Sequence, residues 1–453
     1  MGEILTIIAG LGVLLALGIN RAPLWAWAVA TAAIVFLWQS GLPDGQLVAA
    51  WPSFFGMLGY AIPIVLGLCA IPGVRRSAIV RPAFGMVRSV LPKVSSTEQQ
   101  ALDAGTVGFD AQLFSGQPDW SKLRAVAPIE LTPNEKAFLD GPTEELCAMI
   151  DDWQIRHHDR EVPDHIWDFV KAKGFLGMLI STEHGGLGFS AQAQSMILGK
   201  VASRSPDVSI IVMVPNSLGP GELIEKYGTD YQKSHYLPRL AKGVDVPCFS
   251  LTGPTSGSDA ATMRDVGYVT KAMHGGKETL GVRLSWDKRY ITLAPKATLL
   301  GLAFRLFDPD QHLGADEDVG ITVAMIPADH PGVNIGRRHL PSGAMFPNGP
   351  NWGEDVFIPM DWIIGGEEMV GQGWRMLMEC LAAGRAISLP SSATAGAKAM
   401  LRHTTSYARI RKQFGLSVGR MEGVEEAIVR IAENAYVNEA ARSVTASMAF
   451  HLH

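Results

Sequence analysis

Charge is almost missing from the first 74 residues, which hold only Glu3, Arg21 and Asp44. The other 379 residues carry 80 of the 83 charged side chains, about 21%, near the globular norm of ~25%. The low overall figure of 18% is therefore an average over an apolar leader and an ordinary body able to bury a large core. Cysteine is scarce: Cys69, Cys147, Cys248 and Cys380 lie far apart with no CxxC, which excludes a disulfide scaffold and a structural zinc site and suits a reducing compartment. The twelve histidines include no HExxH, so no metal site is expected. Gly-x-Gly-x-x-Gly is absent, which leaves a Rossmann nucleotide site without support. A basic excess is missing too; 39 Lys and Arg against 44 Asp and Glu argue against nucleic acid as a partner.

What the leader does have is apolar length. Residues 4–19 and 22–38 are each uncharged apart from their flanks, and 47–74 is apolar but interrupted by Pro52, Pro63 and Pro72. A crossing helix needs about 20 apolar residues. No Lys or Arg precedes the first stretch, as a signal peptide requires. Trp25, Trp27, Trp38 and Trp51 fall near the segment ends, where interfacial aromatics sit. Arg75, Arg76, Arg81, Arg88 and Lys93 follow, with no acidic residue from 75 to 97. Basic flanks stay on the cytoplasmic side and attract anionic headgroups. The reading is two or three transmembrane helices in the inner membrane, with membrane lipid as a partner and the body facing the cytoplasm.

The body divides by pattern. Residues 1–74 form the anchor and 75–131 a basic stretch and linker. Residues 132–245 read as helices, opened by Thr132 as N-cap with Pro133 first and Glu135 in the capping-box position. Residues 246–360 hold about eight short β-branched or aromatic runs punctuated by Gly, Pro and Asp, which predicts an antiparallel β-barrel or sandwich. Residues 361–453 return to long amphipathic helices, the start of a bundle. The fold class is α+β. The closing AFHLH offers no cap, which suggests that the sequence stops inside a helical domain.

Four motifs stand out. Gly185-Gly186-Leu187-Gly188, taken alone, reads as a tight turn. Phe249-Ser250-Leu251-Thr252-Gly253-Pro254-Thr255-Ser256-Gly257-Ser258-Asp259 is a strand entering a loop of small and hydroxyl residues, which lets backbone amides approach a polar ligand or simply makes a decorated turn. Tyr290 and Thr292, two apart on a strand, would share a face and suit an aromatic ring system, or an ordinary half-buried strand. Arg411-Lys412-Gln413-Phe414-Gly415 closes a helix and by itself reads as a basic C-terminal turn.

In this order, these segments resemble the acyl-CoA dehydrogenase family over roughly 140–453. FSLTGPTSGSD is similar to its flavin-and-substrate loop, Tyr-Ile-Thr to its Trp-Ile-Thr strand, and RKQFG with Met421-Glu422-Gly423-Val424 to its Arg-Lys-x-Phe-Gly segment. The leader, with GQGWRMLMECLAAGRAISLP, resembles the long membrane-associated bacterial members of fatty-acid β-oxidation. The resemblance implies removal of two hydrogens from a fatty acyl-CoA to give a trans-2-enoyl-CoA. FAD is the implied hydride acceptor, an electron-transfer flavoprotein the electron partner, and a homo-oligomer the full-length state. It places Phe249, Leu251, Thr252, Ser258, Tyr290 and Thr292 on the flavin, with Arg411 and Gln413 reaching the FAD of a neighbouring subunit. Ser258, Ala382, Gly384 and Arg385 would stand near the acyl-CoA. Glu422 replaces the family's Gln, a new charge on the expected adenosine side.

No catalytic residue is assigned. Most members place the glutamate base late in the C-terminal helices, here past 453; a minority place it just before the arginine matched by Arg385, and that position is Gly384. The chain itself is therefore expected to be inactive. An acyl-CoA oxidase on the same scaffold and a non-catalytic membrane-tethered acyl-CoA or flavin binder remain alternatives.

Overall fold

The computed structural model describes residues 2–39, 54–92, 94–104, 109–126, 129–314 and 316–449. Trp51, Pro52, Lys93 and the closing residues 450–453, used in the sequence reading, lie outside the described residues. The chain divides into two compact units, Met1–Val94 and Ser95–His453.

In the first unit, helices Gly2–Ile19 and Leu24–Gln39 are separated by a turn at Asn20 to Pro23. Glycines let the helices close on one another: Gly10 faces Ile34, Gly59 faces Val35 and Gly67 faces Ala28. The expected transmembrane helices are not there as single elements. Among the described residues no single helix is long and apolar enough to cross a membrane. The first two helices have 18 and 16 residues, spanning about 27 and 24 Å against a hydrocarbon core of ~30 Å. The third stretch bends by 95° between Met57–Ala70 and Pro72–Val90. Pro72 causes the break, because it forces Ile71 into extended backbone (ψ 113°).

In the second unit, the Thr132 capping box forms as the sequence indicates: Thr132 N–H donates to Glu135 Oε2 (2.8 Å) and Glu135 N–H to Thr132 Oγ1 (3.3 Å). Glu135 Oε1 also accepts from Ser190 N–H at 2.6 Å, tying this helix to the start of Ala191–Arg204. Helices continue through Asp230–Ala241. The linker read from sequence contains helix Ser96–Ala104, which packs on the long helix Gly373–Ile410 through Trp374 Nε1–H donating to Thr97 O (3.0 Å). Ser95 and Glu98 form a second capping box, with Ser95 N–H to Glu98 Oε2 at 2.7 Å, and its Ser-x-x-Glu signature stands in the sequence.

The β domain is a single seven-stranded sheet: β1 Pro247–Ser250, β2 Val266–His274, β3 Lys277–Thr292, β4 Leu299–Phe307, β5 Asp318–Pro327, β6 Asn334–Ile335 and β7 Asn348–Pro359. It corrects the expected antiparallel barrel or sandwich in two respects. β1 and β2 both pair with β4 in parallel, end to end along one edge. The sheet also stays open, running from β5 on β4 to β6 on β7. Two of the eight expected strands are one: TLGVRLSW and KRYITLA form β3 continuously. Gln232 fastens the helices to the end of the sheet, its Nε2 donating to Asp361 O (2.8 Å) and Ile363 O (2.7 Å) while Oε1 accepts from Gly365 N–H (2.9 Å). After the sheet come Gly373–Ile410 and Glu422–Ala449.

Candidate active site

The sheet topology creates the site. β1 pairs with residues 299–302 of β4 and β2 with 305–307, so the chain between them must leave the ladder at Leu251 and return at Asp265. That excursion is the small-residue loop. Gly301 makes room for Phe249 beneath it, since a Cβ there would lie 3.0 Å from the phenyl ring.

Two bonds fix the loop on β3 and a third closes it on itself. Arg289 N–H donates to Thr252 O (3.0 Å), Lys288 Nζ donates to Leu251 O (2.9 Å), and Gly253 N–H closes the turn on Ser256 O (3.0 Å). Lys288 is fully buried and its second partner is Asp265 at 2.5 Å. Asp265 Oδ1 in turn accepts from Asp287 N–H (2.9 Å). Burial pulls the Lys288 ammonium below its ordinary pKa, against the attraction of Asp265. The sequence reading missed this pair. Lys288 sits two residues before Tyr290, and a lysine at an inward position of a strand was the available signal.

The structure thus brings Leu251 and Thr252 onto the strand that carries Tyr290 and Thr292. It changes how Tyr290 points. The β3–β7 register slips between Lys288 and Ile291, and Tyr290 takes a left-handed φ of +58° in that bulge. Simple alternation with Thr292 therefore does not apply. The Tyr290 ring turns outward, 57% exposed, against His339 at 4.8 Å. Asn348 Nδ2 donates to Tyr290 O (2.9 Å) and Thr292 Oγ1 (3.4 Å). Asn348 Oδ1 and His339 Nδ1 are buried without partners. Exposed hydroxyls at Thr255 and Ser258, a half-buried Thr252, an outward aromatic ring and two unpartnered polar atoms fit a planar polar ring system such as a flavin.

The remaining predicted residues lie elsewhere. Arg411 ends the long helix, and Gln413 belongs to a hairpin of β8 Lys412–Gln413 and β9 Leu416–Ser417. Phe414 (φ +52°) and Gly415 (φ +79°) make its two-residue turn. All four residues from Arg411 to Phe414 are exposed. Ala382 and Arg385 lie on helix Gly373–Ile410, with Arg385 exposed.

Gly384 has a packing reason. A Cβ on it would lie 2.0 Å from Ser217 O, so the helix crosses residues 214–218 at backbone contact. Glu379, one turn earlier, is committed elsewhere. Lys226 Nζ (2.8 Å), Arg375 Nε (2.9 Å) and the Tyr227 hydroxyl all donate to it. Burial raises its pKa, but these hydrogen bonds outweigh that and hold it at about 2. Such a carboxylate is a poor proton acceptor at neutral pH. Glu222, on the facing helix Gly221–Tyr227, behaves oppositely: burial pushes it up to about 7 against the nearby Lys226.

Residues 135–244 match the acyl-CoA dehydrogenase N-terminal domain and 248–350 the acyl-CoA dehydrogenase middle domain. Among curated proteins, a 96-residue stretch is 57% identical to protein HemX of Proteus mirabilis, covering 21% of this chain and 56% of that one. Over 300 residues the chain is 31% identical to the probable acyl-CoA dehydrogenase FadE10 of Mycobacterium tuberculosis, covering 66% of this chain and 44% of FadE10. The chain thus spans about half the length of these relatives. The fold is similar to butyryl-CoA dehydrogenase from Megasphaera elsdenii, with TM-score 0.59, 19% identity and coverage of 69% and 78% of the two chains. It is also similar to PigA with FAD and proline, with TM-score 0.58, 22% identity and coverage of 70% and 80%. The chain carries the N-terminal and middle domains of the acyl-CoA dehydrogenase family.

Proposed function

We propose that this chain is the flavin- and substrate-binding part of a membrane-associated fatty acyl-CoA dehydrogenase. The reaction is formation of trans-2-enoyl-CoA, with FAD bound against the 251–258 loop and Tyr290. When bound, FAD supplies the hydride-accepting ring. Leu251 and Thr252 present backbone and hydroxyl groups to it, Tyr290 covers the ring, and Asn348 Oδ1 offers an acceptor. Ser258 and Arg385 serve the acyl-CoA, and Arg411 and Gln413 reach the FAD of a second subunit. Electrons leave to an electron-transfer flavoprotein, and the place of the reaction is fatty-acid β-oxidation. The observation that carries this reading is the loop after β1 pinned to residues 288–289 beside an outward aromatic.

Neither carboxylate position raised by the motif supplies a base in this chain: Gly384 is sterically closed and Glu379 is locked in an ion cluster. The reading therefore assigns the base to neither position and expects the 453-residue chain to bind without turnover. The leader holds the protein on the inner membrane with the body on the cytoplasmic side. Titration of flavin fluorescence tests the reading: the chain quenches it saturably, Tyr290→Ala weakens the binding, and long-chain acyl-CoA perturbs the bound spectrum. Absence of saturable flavin binding, or an effect of Tyr290→Ala no larger than that of a distant surface change, counts against it. Steady enoyl-CoA formation with an artificial electron acceptor would refute the assignment of the chain as a binder.

A further inference from the structure

The described residues of the first unit bury almost nothing. Among its described residues only Pro63 is buried, while Leu15, Trp25, Phe36, Ile62 and Leu68 are exposed. An apolar unit without a core needs an apolar surrounding. Its helices up to Ala70 carry one charged side chain, Glu3 in the first turn of Gly2–Ile19. At Arg75 the character changes abruptly, and Arg75, Arg76, Arg81 and Arg88 follow with no acidic residue before Glu98.

Helix Arg81–Val90 separates these two characters by face. At about 100° per residue, Arg81 and Arg88 lie within roughly 20° of each other, with Gly85 beside them. Met86, Val87 and Val90 fall on the opposite side, about 120–180° away. Met86 is 73% and Val90 80% exposed, so nothing in the described residues covers the apolar face. Arg76, Val80, Arg81, Phe84 and Arg88 line a groove of about 330 Å³ along the basic side. A short helix with one arginine face, one apolar face and no buried partner has the composition of an element that lies in a membrane interface. The 95° bend before it turns the chain out of the direction of Met57–Ala70.

We infer that residues 76–92 lie flat on an anionic phospholipid surface, with Met86, Val87 and Val90 in the acyl boundary and Arg76, Arg81 and Arg88 on headgroup phosphates. The element fixes which leaflet the following chain faces. This rests on the membrane reading of the leader and adds a lipid requirement to it: negative headgroups, engaged by this helix.

The test uses the full 453-residue chain with phosphatidylcholine vesicles, with and without phosphatidylglycerol. Flotation reports membrane binding, and amide exchange read by mass spectrometry reports residues 76–92. The expected result is flotation with both vesicles but protection of 76–92 only where phosphatidylglycerol is present. Arg76→Gln, Arg81→Gln and Arg88→Gln combined should lower that protection by on the order of 100-fold, given each cation's share of headgroup attraction. High salt should do the same. Equal protection on neutral vesicles, or a triple variant protected like the native chain, overturns the inference while leaving membrane binding intact. A chain that floats with neither vesicle overturns the membrane reading itself.

Discussion

Replacing Lys288 by methionine, which keeps the stem and deletes the charge, should be among the most damaging single changes in the β domain. The ammonium is fully buried, donates to Leu251 O at 2.9 Å and holds Asp265 at 2.5 Å. Its loss leaves a carboxylate that is 5% exposed without its cation, and a loop carbonyl without its donor. Breaking a buried pair from one side costs about 3–5 kcal/mol, of which the orphaned carbonyl accounts for roughly 1 kcal/mol. Asp265→Asn should cost less, because the amide still accepts from Asp287 N–H. The double variant, Lys288→Met with Asp265→Asn, buries no charge and should recover part of the loss, giving a coupling above about 1 kcal/mol. Urea unfolding followed by circular dichroism measures the cycle. Flavin titration of the same proteins, under conditions where all are folded, asks whether the loop has moved; Lys288→Met should weaken flavin binding at least tenfold. A single-variant cost below about 1 kcal/mol, or strict additivity in the cycle, would refute the claim that the pair pins the loop. Native flavin affinity in a folded Lys288→Met protein would reduce the pair to a stability element.

Glu222 at about 7 sits above its unfolded value of ~4.3, so the folded chain holds this proton more tightly. Its contribution is complete below pH ~4.3 and is lost as pH rises through 7; Glu222→Gln should match the native midpoint in acid and exceed it at pH 8, by up to about 3 kcal/mol. Glu379 at about 2 has the opposite sign. Its contribution is complete above pH ~4.5 and disappears as pH falls toward 2; because its partners Lys226 and Arg375 are half exposed and solvent screens the cluster, Glu379→Gln should lose about 1 kcal/mol at pH 7 and flatten the acid limb of thermal denaturation. Gly384→Glu should not create activity: its Cβ would collide with Ser217 O, and even Gly384→Ala should lower the melting midpoint measurably, whereas a stable, active Gly384→Glu protein would contradict the packing.

Much of the fold was legible because its signals are local. The capping box at Thr132, the change to β-branched runs near Val246 and the return of helical pattern after Pro359 are each written within a few residues. What local pattern could not supply was pairing. Nothing in VPCFSL says that it runs parallel to β4, because that partner is fixed by where the β2–β3 hairpin folds. The β3 merger was hidden by Trp286-Asp287-Lys288, which reads as a polar break between strands. In the folded chain Trp286 and Lys288 point inward and find buried partners in Asn351 and Asp265. The single spanning helices expected in the leader fail for a similar reason: apolar length is visible in the sequence, but the break at Ile71-Pro72 and the division of helices into pieces shorter than a bilayer depend on where turns fall.

The site follows the same division between composition and geometry. Small residues in 252–258 and an aromatic at 290 are compatible with a ligand surface or with an ordinary turn and strand, and the resemblance alone favours the first. That the two segments meet depends on Lys288 and Arg289, whose types carry no ligand signal and whose work is done through the backbone of Leu251 and Thr252. The left-handed Tyr290 sharpens the point. A strand rule assigns it the face of Thr292, yet the bulge rotates it outward and leaves Asn348 to bridge the two. Gly384 carries the same lesson in reverse. Read as a sequence position it is a missing carboxylate; read against Ser217 O it is the only residue that lets helix Gly373–Ile410 lie against residues 214–218 without displacement. An acidic side chain at that position would first have to separate two helices, so in this chain close helix packing and a proton acceptor at 384 exclude one another.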